Sequence, residues 1–78
     1  MKNQFVMSYG ESQKNRLRNA LKMGAIITRL NAYTELGIFE LSARILEIER
    51  LGFPVARKRV TVFNRFGEKI SVVQYTKA

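Results

Sequence analysis

Five glycines divide the chain into short intervals, and this division constrains the fold more than any other feature of the sequence. They stand at positions 10, 24, 37, 52 and 67, separated by 12 to 14 residues, and the apolar pattern changes at each. No GxGxxG or Walker-type spacing occurs among them, so they indicate element boundaries rather than a phosphate-binding loop. With 78 residues in all, the chain is predicted to form one small domain of short elements.

The first helix is predicted between Gly10 and Gly24, with Ser12 as its N-cap. Leu17 and Leu21, one helical turn apart, supply its apolar stripe. Lysine and arginine occupy much of the remaining surface of this helix. The sequence therefore predicts an amphipathic helix with a narrow buried face.

A brief strand and a second helix follow. Residues 25–27 are too few for a helix and favour β structure. Thr28 is then a suitable N-cap for a short helix through about Leu36, in which Ala32 permits close approach to a neighbour. The buried side of this helix is predicted to consist of Leu30, Tyr33 and Leu36.

A third helix is predicted to begin about one residue after Gly37 and to end before Gly52 and Pro54. Its apolar residues recur at intervals of three, four and three, which is a regular core stripe. They are Ile38, Leu41, Ile45 and Ile48. Two helices joined by so tight a turn form a helix-turn-helix pattern, which many small helical domains share.

Beyond Val55 the apolar period changes to two, which predicts a β-hairpin. Pairing Val62 with Ile70 opposes apolar residues, whereas a slip of one residue sets a valine against a lysine. This register leaves residues 65–67 as a three-residue loop that ends in glycine. Val55 has the wrong parity for the apolar face, which predicts a break or bulge near residues 56–59. The predicted order is helix, short strand, helix, helix, two-stranded hairpin.

Several short motifs lie between Leu17 and Tyr75, namely Thr28-Arg-Leu-Asn-Ala32, Gly37-Ile38, Leu41-Ser-Ala-Arg-Ile45, Gly52 and Val55. Together they resemble small winged helix-turn-helix proteins of bacteriophages and prophages. The resemblance implies an α+β fold in which a basic hairpin, the wing, follows the third helix. The chain departs from the family at Glu49, where a basic residue is typical.

The resemblance implies DNA binding, with the third helix in the major groove and the wing on the backbone or in the minor groove. On the exposed face of the third helix, Ala43 suits a thymine methyl group, Glu40 a cytosine amine, and Arg44 a guanine or a phosphate. The alternative is that Glu40 and Arg44, four residues apart, only pair with each other. The candidate DNA-binding residues are Arg29, Phe39, Glu40, Ala43, Arg44, Arg57, Lys58, Arg59, Arg65 and Lys69.

Composition argues against most catalytic and metal sites. The chain has no Cys, His, Asp or Trp, so it lacks thiolate ligands and imidazole bases. We therefore predict no enzymatic activity, no cofactor, no metal site and no small-molecule substrate.

No apolar run is long enough to span a membrane, and a cytoplasmic location is expected. Residues 1–10 are expected to form a flexible N-terminal segment ahead of a single domain at residues 11–78.

The net charge of +8 favours a polyanionic partner, double-stranded DNA above all, but it is unevenly distributed. Residues 1–34 and 52–78 each carry six Lys or Arg against one Glu. Residues 35–51 carry two Arg against four Glu. We therefore expect the flanks and the wing to supply affinity, and the third helix to supply selection or a protein contact.

Exposed apolar residues leave a second function open. Phe39, Leu46 and Phe66 lie outside the predicted core stripes, which favours self-association or a protein partner. The alternative function is a protein-binding module of winged-helix fold that modulates a host protein or a nucleoprotein complex. A homodimer is a further expectation because a monomer of this size covers only a short DNA site. RNA binding is less favoured because it needs exposed aromatic residues on a sheet face, and the predicted hairpin offers few of them.

Overall fold

Three helices precede a two-stranded antiparallel hairpin in the computed structural model, which describes residues 9–78. The predicted order of elements is confirmed. Apart from residues 9 and 10, which belong to the first helix, the predicted N-terminal segment lies outside the described residues. The elements are α1 (Tyr9–Lys22), α2 (Arg29–Leu36), α3 (Leu41–Arg50), β1 (Val55–Phe63) and β2 (Lys69–Lys77).

The first helix begins earlier than its sequence predicts. It starts at Tyr9, so Ser12 lies inside the helix and its prediction as the N-cap is wrong. No proline precedes Ser12, and the single glycine there weakens a helix by only about 1 kcal/mol, so the helix extends past it. After α1, Ile27 exchanges two backbone hydrogen bonds with Tyr75, of 2.9 and 2.8 Å. The predicted short strand is therefore a single β-bridge to the hairpin.

The second helix has the predicted ends. Thr28 Oγ1 accepts a hydrogen bond of 3.3 Å from the amide of Asn31, and Asn31 Oδ1 accepts one of 2.8 Å from the amide of Thr28. This reciprocal capping box satisfies two amides at the helix start. At the other end Gly37 adopts a left-handed φ of 68°, a conformation that glycine reaches without steric cost.

Two side chains of α1 hold the turn between α2 and α3. Arg16 Nε donates a hydrogen bond of 2.7 Å to the carbonyl of Leu36, and Gln13 Nε2 donates one of 3.2 Å to that of Gly37. Gln13 is buried, so its amide acts as a polar contact inside the domain. These bonds satisfy carbonyls that the end of α2 leaves unpaired, and they fix where α3 begins.

The core contains the predicted stripe of the third helix. All four of its members are buried, although α3 itself begins only at Leu41, so Ile38 reaches the core from the turn. The predicted buried side of α2 is wrong for Leu30 and Tyr33, which are 73% and 58% exposed, whereas Leu36 packs against the core as predicted. The small Ala32 is buried instead, which allows α2 to pack closely. The buried apolar residues are Leu17, Leu21, Ile27, Ala32, Ile38, Leu41, Ile45 and Ile48.

The hairpin has the predicted register and no bulge. Val62 pairs with Ile70, and the ladder continues without interruption to Val55 opposite Lys77. The predicted break near residues 56–59 is therefore wrong. Val55 and Tyr75 pack on the helical core from one face of the ribbon, whereas the apolar pairs Val60–Val72 and Val62–Ile70 lie on the other. Because a two-stranded ribbon twists, each face points in different directions along its length.

Candidate nucleic-acid interface

The register of the hairpin separates its cations onto two faces. Arg57, Arg59 and Lys69 share one face because paired and alternate residues point to the same side. Lys58 lies on the opposite face, which is otherwise largely apolar. All four side chains are exposed. One side of the wing is therefore predominantly basic, and Arg65 adds a further exposed cation in the loop at its tip.

Arg57 is engaged within the protein rather than free to bind a ligand. Its guanidinium donates two hydrogen bonds, of 2.9 and 2.7 Å, to the carboxylate of Glu49 on α3. It also lies over the ring of Tyr75 at 5.5 Å from the centroid. The hydrogen bond from Arg57 lowers the pKa of Glu49, and the same bond raises the pKa of Arg57. The acidic residue that departs from the family pattern thus ties α3 to the wing.

This ion pair predicts a pH-dependent part of the stability. Because the pKa of Glu49 is lowered in the folded state, the stabilisation is present above the pKa of an unfolded Glu and is lost as the pH falls through the folded value. We expect Glu49→Gln to lower the thermal unfolding midpoint slightly near neutral pH. The difference from the wild type should disappear in acid. Arg57→Gln should remove the same pH-dependent part, and a difference that stays constant with pH would contradict this account.

The start of α2 meets the turn and the start of α3 around a shallow depression of about 360 Å³. Arg29 from α2 lines it together with Phe39 and Glu40 from the turn and Ala43 from α3. Four candidate residues, distant by up to 14 positions in sequence, therefore share one surface. Phe39 and Glu40 precede α3 and lie in the turn, not on the helix as predicted.

Arg44 does not form the pair considered from sequence. Its Nε lies 3.3 Å from Glu47 Oε1, so the ion pair joins residues three apart rather than Arg44 and Glu40. Both of these atoms are shielded from solvent. Glu40 is exposed and, in the described part of the chain, has no cationic side chain within ion-pair distance. The structure thus leaves Glu40 accessible and turns Arg44 towards its own helix.

A second, larger cavity of about 810 Å³ lies between α2 and the apolar face of the wing. Tyr33 and Phe39 meet edge to face on its floor, with ring centroids 5.7 Å apart. Arg29 is the one charged residue among those that line it. The sequence did not predict that α2 contributes to this groove, because the helical spacing of its apolar residues predicted that they would be buried. The apolar and aromatic residues that line this groove are Leu30, Tyr33, Phe39, Val62, Ile70, Val72, Val73 and Tyr75.

The candidate residues therefore fall into separate surfaces. The wing residues Lys58, Arg59, Arg65 and Lys69 line neither cavity. Within residues 9–78, no group of acidic residues is arranged to hold a metal ion. None of the helices in this range is long and apolar enough to cross a membrane. The arrangement offers a polar depression, an apolar groove and a basic ribbon, all suited to macromolecular contact.

Two helices joined by a four-residue turn and followed by a basic β-ribbon define a winged helix-turn-helix domain. A family model described as a winged helix-turn-helix domain matches residues 12–76, and the chain belongs to this family. No curated protein and no solved structure matches the chain. Domains of this family are generally DNA-binding rather than enzymatic, so membership suggests DNA as the partner.

Proposed function

We propose that the protein binds double-stranded DNA as a small transcriptional regulator or architectural factor of phage or prophage type. The observation that carries this proposal is the exposed basic wing. No carboxylate among the described residues forms an ion pair with Lys58, Arg59, Arg65 or Lys69. Unpaired cations on a projecting ribbon suit phosphates or a narrow minor groove. Such a protein acts in the cytoplasm, where the DNA is.

The start of α3 supplies the base contacts in this proposal. Ala43 and Glu40 border the depression, and their chemistry suits a thymine methyl group and a cytosine amine, respectively. Arg29 stands at the N-terminus of α2, where a phosphate is attracted by both the cation and the positive end of the helix dipole. Because residues 35–51 carry net negative charge, α3 selects among sequences while the wing provides most of the affinity.

Selection from a pool of random duplexes tests this division. We expect the wild type to enrich one short sequence, and Glu40→Gln with Ala43→Ser to enrich a different one. Each mismatched base pair is expected to weaken binding by about 1–3 kcal/mol. Glu35→Gln on α2 is the matched control, since it removes the same charge from an exposed site outside the depression. An unchanged preference in the double variant would remove α3 from base readout.

Protein binding is the second candidate function, and the apolar groove favours it. Arg29 lines this groove, and among the described residues no acidic side chain does. Both features suit an acidic amphipathic segment of a partner protein. A second copy of this chain fits less well, because it carries the same net charge of +8. Binding of such a partner, with no binding of duplex DNA at low salt, would favour this function over the first.

A further inference from the structure

An aromatic ring stands exposed at the far end of the wing. Phe66 is the middle residue of the loop of residues 64–68 that joins the two strands, and it is 76% exposed. Each strand of the ribbon has nine residues, so the loop lies up to about 30 Å from the base of the hairpin. The ring is therefore well separated from the helical core, and Phe66 is not among the residues that line the apolar groove.

The loop that carries Phe66 is held by hydrogen bonds. Asn64 Oδ1 accepts bonds of 2.9 and 3.0 Å from the amides of Phe66 and Glu68. Asn64 Nδ2 donates one of 2.8 Å to Glu68 Oε1, and the amide of Gly67 donates one of 3.0 Å to the carbonyl of Asn64. Gly67 closes the loop with a φ of 80°. The backbone is thus ordered in advance, which reduces the entropic cost of using the ring in binding.

A cation accompanies the ring. The guanidinium of Arg65 lies 5.5 Å from the centroid of Phe66, so charge and aromatic surface are presented together. The minor groove of DNA accepts this combination, because its negative potential attracts arginine and its base steps admit apolar wedges. Phosphate contact alone would require the cation but would leave the ring in water.

From this geometry, and resting on the DNA-binding function proposed above, we propose that Phe66 is a minor-groove wedge. The ring inserts partly between adjacent base pairs while Arg65 lies in the groove beside it. Partial unstacking at that step kinks the duplex towards the major groove. The wing tip then contributes to the shape of the bound DNA as well as to its affinity, and it favours flexible pyrimidine–purine steps.

A tryptophan introduced at the tip reports on insertion directly. The chain contains no Trp, so Phe66→Trp gives a single indole fluorophore in a position that the native aromatic ring already occupies. We expect strong quenching of its emission on addition of duplex DNA, because stacking on bases quenches indole. Met23→Trp is the control, since Met23 is also exposed but follows α1 and lies outside the wing, where the emission should change little.

Energy transfer between dyes at the two ends of a duplex of about 30 base pairs measures the kink. We expect wild-type protein to shorten the end-to-end distance, by a bend of about 20–90°. Phe66→Ala should still bind with the same salt dependence, about 10-fold more weakly, and should leave the duplex nearly straight. Phe66→Leu should restore part of the bend, because leucine is also an apolar wedge.

The outcomes separate this proposal from the function on which it rests. Binding by the wild type without a bend, or equal quenching at positions 23 and 66, would overturn the wedge and leave DNA binding intact. Quenching by single-stranded but not by duplex DNA would also overturn it in favour of stacking on unpaired bases. Absence of any DNA binding at low salt would contradict the proposed function itself, and the wedge with it.

Discussion

Replacement of Arg59, Arg65 and Lys69 together by glutamine weakens duplex binding by about two to three orders of magnitude at about 0.1 M salt. Each phosphate contact that is lost removes about 0.9 from the slope of log affinity against log salt concentration. The slope should therefore fall by about 3. Fluorescence anisotropy titrations of a labelled duplex over a range of salt concentrations measure both quantities.

The matched control removes the same charge from another element. Lys14, Arg18 and Lys22 lie on α1, so their replacement by glutamine also lowers the net charge by three. We expect this variant to lose much less affinity and to keep most of the salt slope. Equal losses in the two triple variants would show that general charge, and not the wing, governs binding.

Ile45→Ala lowers the free energy of unfolding by about 2–5 kcal/mol. Ile45 is completely buried at the centre of the core stripe of α3, so truncation leaves a cavity against α1 and the turn. A domain of 78 residues has a total stability of about 4–12 kcal/mol, so the variant is expected to be partly unfolded near body temperature. Urea denaturation followed by circular dichroism measures the change.

The neighbouring residue provides the comparison. Leu46 lies on the same helix but is 48% exposed, and Leu46→Ala removes a side chain that is only half covered. We expect it to cost less than about 1 kcal/mol. Similar losses at the two positions would mean that the core does not follow the predicted stripe, and a small loss at Ile45 would mean that the site collapses around the cavity.

The hairpin could be predicted in detail because its constraints are local. Only one register opposes Val62 to Ile70, and the glycine at position 67 fixes the loop length. The N-cap at Thr28 was recognisable for the same reason, since the residues that form it are three apart.

The surface of α2 could not be predicted because it depends on tertiary packing. Apolar spacing favoured burial of Leu30 and Tyr33, but the small side chain of Ala32 lets the helix approach its neighbours more closely on that side. The tertiary packing of the domain therefore determines which side chains of α2 are buried. The result is an apolar groove that periodicity would have assigned to the core.

The pairing of Glu49 with Arg57 was equally inaccessible from sequence. The two residues belong to different elements, and only the packing of the wing against α3 brings them together. The sequence shows Glu49 as a departure from the family pattern, but it does not show that Arg57 is the partner of Glu49. The pair withdraws one cation from the basic face, and in the proposed function Arg59, Arg65 and Lys69 are the wing cations that remain for DNA.

A salt titration of wild-type protein against one duplex, repeated with unlabelled competitor DNA, tests DNA binding by the wing most directly. The account predicts measurable binding at about 0.05 M salt and a linear fall of log affinity with log salt concentration. The slope should be about 3 to 4, as expected if Arg29, Arg59, Arg65 and Lys69 contact phosphates. Absence of a duplex complex at low salt, or affinity that does not change with salt, would contradict it.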